Sequence, residues 1–191
     1  MEIRCRILYP RMNQICMIYS RSDHTASLLP NGKVLVTGGN YGPVWDYHNN
    51  SELFDPKKRT WSRTGHMHYR RSEHTASTLR DGRVLITGGG SAVAELYDPS
   101  TGTWSPAGSM HYSPTEHGSV TLKNGKVLVA GGFIGTALVN NAEVFDPLTR
   151  NWTTVVSMNR SRFLPTATTL KDGRTIVVGG NYENTAEIFY Y

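Results

Sequence analysis

The 191 residues contain only two cysteines, Cys5 and Cys16, both upstream of everything that repeats. Two thiols in that position supply neither a disulfide framework nor the paired spacing of a structural zinc site. Long apolar runs are missing too. Nothing approaches the roughly eighteen apolar residues of a membrane-spanning helix, and the opening MEIRCRILYPRMNQICMIYS is broken by Pro10, Arg11, Asn13 and Gln14 where a signal peptide needs an apolar core. No membrane partner is expected. The cytoplasm is favoured, although Asn49, Asn151 and Asn159 head N-x-S/T triplets and leave the compartment open.

Charge is sparse, at 18% of residues, and Lys and Arg form no long run. The densest basic patch, Lys57, Lys58, Arg59, Arg63, Arg70 and Arg71, spreads over two different turns. The net charge of +5 permits an acidic partner, but no recognised nucleic-acid module accompanies it, so nucleic acid is not the expected ligand. What the chain does have is 19 glycines, 10 tyrosines and 4 tryptophans around short Val/Leu/Ile runs. That composition points to a turn-rich β protein.

The decisive feature is internal repetition. Four copies begin RSDHTASLLPNGKVLVTGG, RSEHTASTLRDGRVLITGG, SPTEHGSVTLKNGKVLVAGG and RFLPTATTLKDGRTIVVGG. From His24, His74, His117 and Pro165 to Gly38, Gly88, Gly131 and Gly179 the interval is fourteen residues each time. Glu52, Glu95 and Glu143 precede Trp61, Trp104 and Trp152 by nine, and those precede Met67, Met110 and Met158 by six. Only the interval from the second glycine to the glutamate varies, at thirteen, six, eleven and, to Glu187, seven. All length variation therefore sits in one loop per copy.

Each copy reads as a four-stranded antiparallel meander. Two apolar strands joined by Asn31-Gly32, Asp81-Gly82, Asn124-Gly125 or Asp172-Gly173 form a hairpin expected to need positive φ at both turn positions. A third strand carries SELF, AELY, AEVF or AEIF, and a D-P turn leads to a fourth bearing the tryptophan. The stretch KVLVAGGFIG imitates a dinucleotide-binding strand and glycine turn, but its GGxxG spacing is imperfect. In the second copy only SAVA or so separates the glycines from the next strand, which is too short for a crossover helix.

R-x-x-H-T-A, [ND]-G-[KR]-V-L-V-T-G-G and A-E-x-[YF]-D-P-x-T-x-x-W resemble kelch repeats, closest to those of the galactose-oxidase-like branch, over everything after about residue 16. The resemblance implies an all-β propeller of four four-stranded blades, with repeats at about 17–66, 67–109, 110–157 and 158–191 and the His-Thr-Ala strand innermost; four blades is the low end of the known range, and part of a five- to seven-bladed ring is the rival reading. The fourth repeat stops before its Trp strand, while Met17 stands seven residues before His24 as Met67 and Met110 stand before theirs. Residues 1–16 are thus the candidate closing outer strand. Blades stacked around an axis would bury nearly all faces and hide their edges.

The in-phase histidines and carboxylates read as structure: side chains of a propeller strand point at neighbouring blades, and a buried carboxylate needs partners such as Arg21, Arg71, Arg162 or backbone N–H groups. The galactose-oxidase-like resemblance implies copper held by tyrosines and histidines with a Tyr–Cys crosslink. Only Tyr47-His48 fits any part of that, and both cysteines lie outside the repeats. No metal, cofactor or catalytic residue is expected. Strand-end logic instead puts the variable loops and the blade-to-blade connections at one end of the ring. That rim gathers Tyr41, Trp45, Tyr47, His48, Phe133 and Tyr182 from the loops, with Tyr19, Tyr69, Tyr112, Arg21, Arg71, Arg160 and Arg162 from the connections. Tyr, Trp and Arg dominate binding hot spots. The expectation is a monomeric, non-catalytic module binding a protein or peptide, with acidic segments favoured by the arginines. A carbohydrate-binding propeller and a degenerate copper oxidase are the alternatives.

Overall fold

The computed structural model describes residues 15–41, 46–182 and 184–191, which contain strands and turns and no helix. In the first repeat β1 (Thr25–Leu28) and β2 (Val34–Thr37) are followed by a small hairpin, β3 (Asn40–Tyr41) and β4 (Asp46–Tyr47), then by β5 (Ser51–Asp55) and β6 (Thr60–Arg63). The second contains β7 (Thr75–Thr78), β8 (Val84–Thr87), β9 (Val93–Asp98) and β10 (Thr103–Ser109). The third runs β11 (Gly118–Thr121), β12 (Val127–Ala130), a hairpin of β13 (Phe133–Ile134) and β14 (Ala137–Leu138), β15 (Ala142–Asp146) and β16 (Asn151–Thr154). The fourth has β17 (Thr166–Thr169), β18 (Thr175–Val178) and β19 (Ala186–Phe189). Their antiparallel orders are β1-β2-β5-β6, β7-β8-β9-β10, β11-β12-β15-β16 and β17-β18-β19. The meander expected from the repeats is therefore present, and β3-β4 and β13-β14 are additions within what the sequence marked only as loops.

One local expectation is corrected. At the Asn-Gly and Asp-Gly turns only the glycines take positive φ, at 80° for Gly32, 86° for Gly82, 88° for Gly125 and 100° for Gly173. The Leu29 N–H donates to the Lys33 carbonyl at 2.8 Å and the Gly32 N–H to the Leu29 carbonyl at 2.9 Å, so the loop is wider than a two-residue hairpin. The preceding Asn or Asp explains why: its side-chain oxygen accepts the N–H two residues on, at 3.0 Å in each of the four turns, and glycine then takes the single left-handed position.

Between successive sheets the alternating side chains interlock. Leu35 and Leu53 of the first sheet meet Val84, Ile86, Tyr97 and Trp104 of the second. Leu85 and Leu96 meet Val127, Val129, Phe145 and Trp152 of the third. Leu128 and Val144 meet Val177 and Phe189 of the fourth. The second and third sheets therefore each have one face toward a predecessor and one toward a successor, which is how a period of two buries both faces of a meander.

The innermost strands are also tied by hydrogen bonds. His74 Nε2 lies 2.9 Å from the Thr25 hydroxyl and His117 Nε2 lies 2.7 Å from that of Thr75. At the third junction both halves change together: Gly118 replaces the threonine and Pro165 the histidine, and an ideal Cβ on Gly118 would fall 3.3 Å from Pro165 Cγ. A hydrogen bond there gives way to close packing. Leu28 on the outer face of the first sheet and Val178 on that of the fourth are exposed, at 68% and 44%. The expected closing strand lies, but for residues 15 and 16, outside the described residues.

Candidate functional site

The rim begins where each glycine pair ends an inner strand. Gly38 and Gly39 have φ of 64° and 94°, and an ideal Cβ on Gly38 would stand 2.6 Å from His74 Cε1 and 2.8 Å from the Arg71 carbonyl oxygen. Only glycine fits that combination of turn and close approach. The chain then leaves the sheet as β3 and β4, pinned by the Ser22–Asn40 backbone pair at 2.8 and 3.0 Å and by the His48 N–H to the Gly39 carbonyl at 2.8 Å. The connection into the next sheet packs on the same loop: the Arg71 N–H donates to the His48 carbonyl at 3.1 Å and the Met67 N–H to that of Asn49 at 2.8 Å. Loop and connection thus share one end of the stack.

In the first repeat the His48 ring sits between Tyr19 and Tyr41, with 5.9 Å between ring centroids on each side. Arg63 covers the Tyr19 ring at 5.3 Å. The Asn50 amide lies 3.3 Å from His48 Nδ1, while Nε2 is buried with no hydrogen-bond partner among the described residues. Burial first, and then the positive charge of Arg21, lower the pKa of His48, so the imidazole is neutral at pH 7. Beside it the exposed Arg70 donates to Asp46 at 2.6 Å and to the Tyr47 carbonyl at 3.1 Å. This gives an aromatic and polar crown on the first sheet.

The third repeat builds a matching crown. Phe133 and Thr115 exchange backbone bonds at 2.9 and 3.0 Å, the Val139 N–H reaches the Gly132 carbonyl at 3.0 Å, and the Phe133 ring packs on Phe163 at 5.3 Å. Tyr112 is half-buried and lines a crevice with Ile134 and Val139. In the fourth repeat Asn181 and Tyr182 take left-handed φ of 54° and 60°, the Asn181 side chain holds the Phe163 N–H at 2.7 Å, and Tyr182 is fully exposed. The second repeat has no hairpin, so its end stays low between the two crowns.

The recurring carboxylates organise the connections. Glu52 accepts the Ile18 and Tyr19 N–H groups at 2.6 and 3.1 Å, Glu95 those of His68 and Tyr69 at 2.8 and 3.2 Å, Glu143 those of His111 and Tyr112 at 2.9 and 3.1 Å, and Glu187 those of Asn159 and Arg160 at 2.5 and 3.2 Å. Tyr19, Tyr69, Tyr112 and Arg160 are therefore equivalent positions, each presented by a carboxylate-gripped turn. Tyr69 and Arg160 are exposed, whereas Tyr19 and Tyr112 are half-buried.

Three of the rim arginines do not reach solvent. The Arg21, Arg71 and Arg162 side chains are buried and donate to the Gly38, Gly88 and Gly179 carbonyls at 2.6 Å, and each pairs with the glutamate of its repeat, at 2.7, 3.6 and 3.3 Å. They hold the glycine pair against the third strand and are withdrawn as partner contacts. In the third repeat Pro114 occupies the arginine position, and His111 Nδ1 meets Glu143 at 2.8 Å instead. Trp45 lies outside the described residues. Asp46 and Phe163 join the rim without a signal in the sequence, and so does Arg70, which the sequence marks only as part of the basic patch.

The Kelch motif family model matches residues 115–159, which span the third sheet and its exit to Met158. No curated protein matches the chain.

Proposed function

We propose, from the premise that this chain carries kelch repeats, that it is a non-catalytic module that binds a protein or peptide through the rim. Kelch repeats generally serve protein interaction. The observation that carries the finer reading is the gathering, at one end of a rigid stack, of exposed Tyr41, Tyr69 and Tyr182 with half-buried Tyr47, His48 and Phe133. Such side chains combine apolar area with a polar tip and few torsions to freeze. Functional surfaces tend to lie on loops held by a rigid scaffold. The peptide lies across the low second repeat, between the crowns of the first and third.

The exposed cations of this rim, Arg63, Arg70 and Arg160, favour a segment carrying carboxylates. Arg70 is held by an exposed aspartate, an exchange partner that a ligand carboxylate can replace at little cost. The test is a peptide array and a glycan array probed with the protein and with Tyr41→Ala and Tyr47→Ala. Acidic peptides bind, and each variant weakens them by about tenfold or more with melting temperature unchanged. Binding to glycans in place of peptides refutes the reading.

A further inference from the structure

The first two internal junctions define what a complete junction contains. A successor sheet brings a histidine, an apolar second strand, an aromatic third strand and a tryptophan. Val84 and Val127 are fully buried there, as are Tyr97 and Phe145, and Trp104 and Trp152 are buried with their Nε1–H donating to the Gly65 and Ala107 carbonyls at 3.1 and 3.0 Å. A predecessor sheet brings Thr37, Thr87 or Ala130 at the end of its second strand, each 1% exposed.

The first sheet presents the successor half of such a junction without a predecessor among the described residues. Val34, Phe54 and Trp61 are only half-buried, Trp61 Nε1 has no hydrogen-bond partner among the described residues, and Leu28 is exposed. Nor, among the described residues, does His24 find a threonine hydroxyl like those that meet His74 and His117. The fourth sheet presents the predecessor half uncovered. Val178, at the position of Thr37, Thr87 and Ala130, is 44% exposed. Thr166, Thr168, Ala186 and Ile188 on the same face are exposed as well. The outer edge of β19 is unpaired among the described residues and borders a groove of about 570 Å³ lined by Val155, Val156, Met158, Phe189 and Tyr191.

We propose that these are two halves of one interface, and that the fourth sheet of one copy receives the first sheet of a second copy, head to tail, in place of the monomer expected from the sequence. The occupant is argued from the chain itself. The contact asked for is the one already made twice inside it, with His24 of the second copy facing Thr166 and Val34 and Phe54 covering Val178 and Ile188. Such an interface pairs two different surfaces, so copies joined by it close into a ring when the rotation allows.

The test is light-scattering mass measurement on the full chain over a wide concentration range, with Leu28→Glu blocking one face and Val178→Glu the other. Both side chains are exposed in the single chain, so the variants keep its melting behaviour. The unmodified protein has the mass of two or more chains, and each variant alone runs as a single chain. An equimolar mixture of the two variants regains a two-chain species, because one intact pair of faces survives in it. A single-chain mass for the unmodified protein at every concentration overturns the proposal. So does a mixture that stays single-chain, or a variant that associates like the parent.

Discussion

Acid should loosen this fold through its two buried histidines. His74 and His117 are 5% and 4% exposed, and each is wedged at a junction with Nε2 on a threonine hydroxyl of the preceding sheet. Burial, then the charge of Arg71 and the neighbouring His117 and His24, push His74 down from 6.5 to about 3; burial alone does the same to His117. A base whose pKa falls on folding binds its proton more tightly when unfolded, so its contribution is fully present above pH 6.5 and is lost as pH drops toward about 3. At pH 5, one and a half units below 6.5, each histidine costs about 2 kcal/mol at 1.36 kcal/mol per unit, and the pair about 4. That is a large share of a typical domain stability of about 5–15 kcal/mol. His24 and His48 are lowered too and act in the same direction. Glu73, raised by burial and by Glu116 and Asp23, acts in the opposite one. Urea unfolding followed by tryptophan fluorescence at pH 7 and pH 5 measures the difference. His117→Asn, folded at pH 7, should remove about half of it. Equal stability at the two pH values, or an unchanged pH dependence in the variant, refutes the reasoning.

Glu95→Ala should cost about 3–5 kcal/mol by chemical denaturation, because it strips the acceptor from two N–H groups and leaves the fully buried Arg71 without its carboxylate. Two neighbouring glycines should respond very differently to alanine. Gly88→Ala sets a Cβ 2.1 Å from the Pro114 carbonyl oxygen at φ 66° and should lower stability by about 3 kcal/mol or more. Gly90→Ala meets nothing within 4 Å and should show only the left-handed backbone cost of about 1–2 kcal/mol. Similar losses of melting temperature in both would contradict the packing assigned to Gly88.

Much of the architecture is legible in the sequence because a repeat writes the same contact several times. The interval from histidine to glycine is constant because the hairpin it spans is, and the glutamate recurs because each outer strand must be handed on through a turn with two N–H groups to satisfy. Gly118 and Pro165 depart from the pattern in adjacent copies, a correlation with meaning only once the two are seen in contact. Turn geometry was less legible: Asn31-Gly32 carries the signature of a two-residue hairpin, and the side-chain bond from Asn31 to the Lys33 N–H selects the wider loop.

The sequence alone determined an all-β chain of four kelch-like meanders with its length variation confined to one end, since period, turn residues and strand length are local properties. Tertiary structure alone decided which rim residues face water. Arg70 and Arg71 are adjacent and chemically identical, yet one is exposed beside Asp46 and the other lies wholly inside, on Gly88, Val93 and Glu95. It also decided that Val178 is bare while Thr37 and Thr87, at the same repeat position, are covered. Burial belongs to a residue and its neighbour together, and the neighbour at each end of the stack is not written in the repeat.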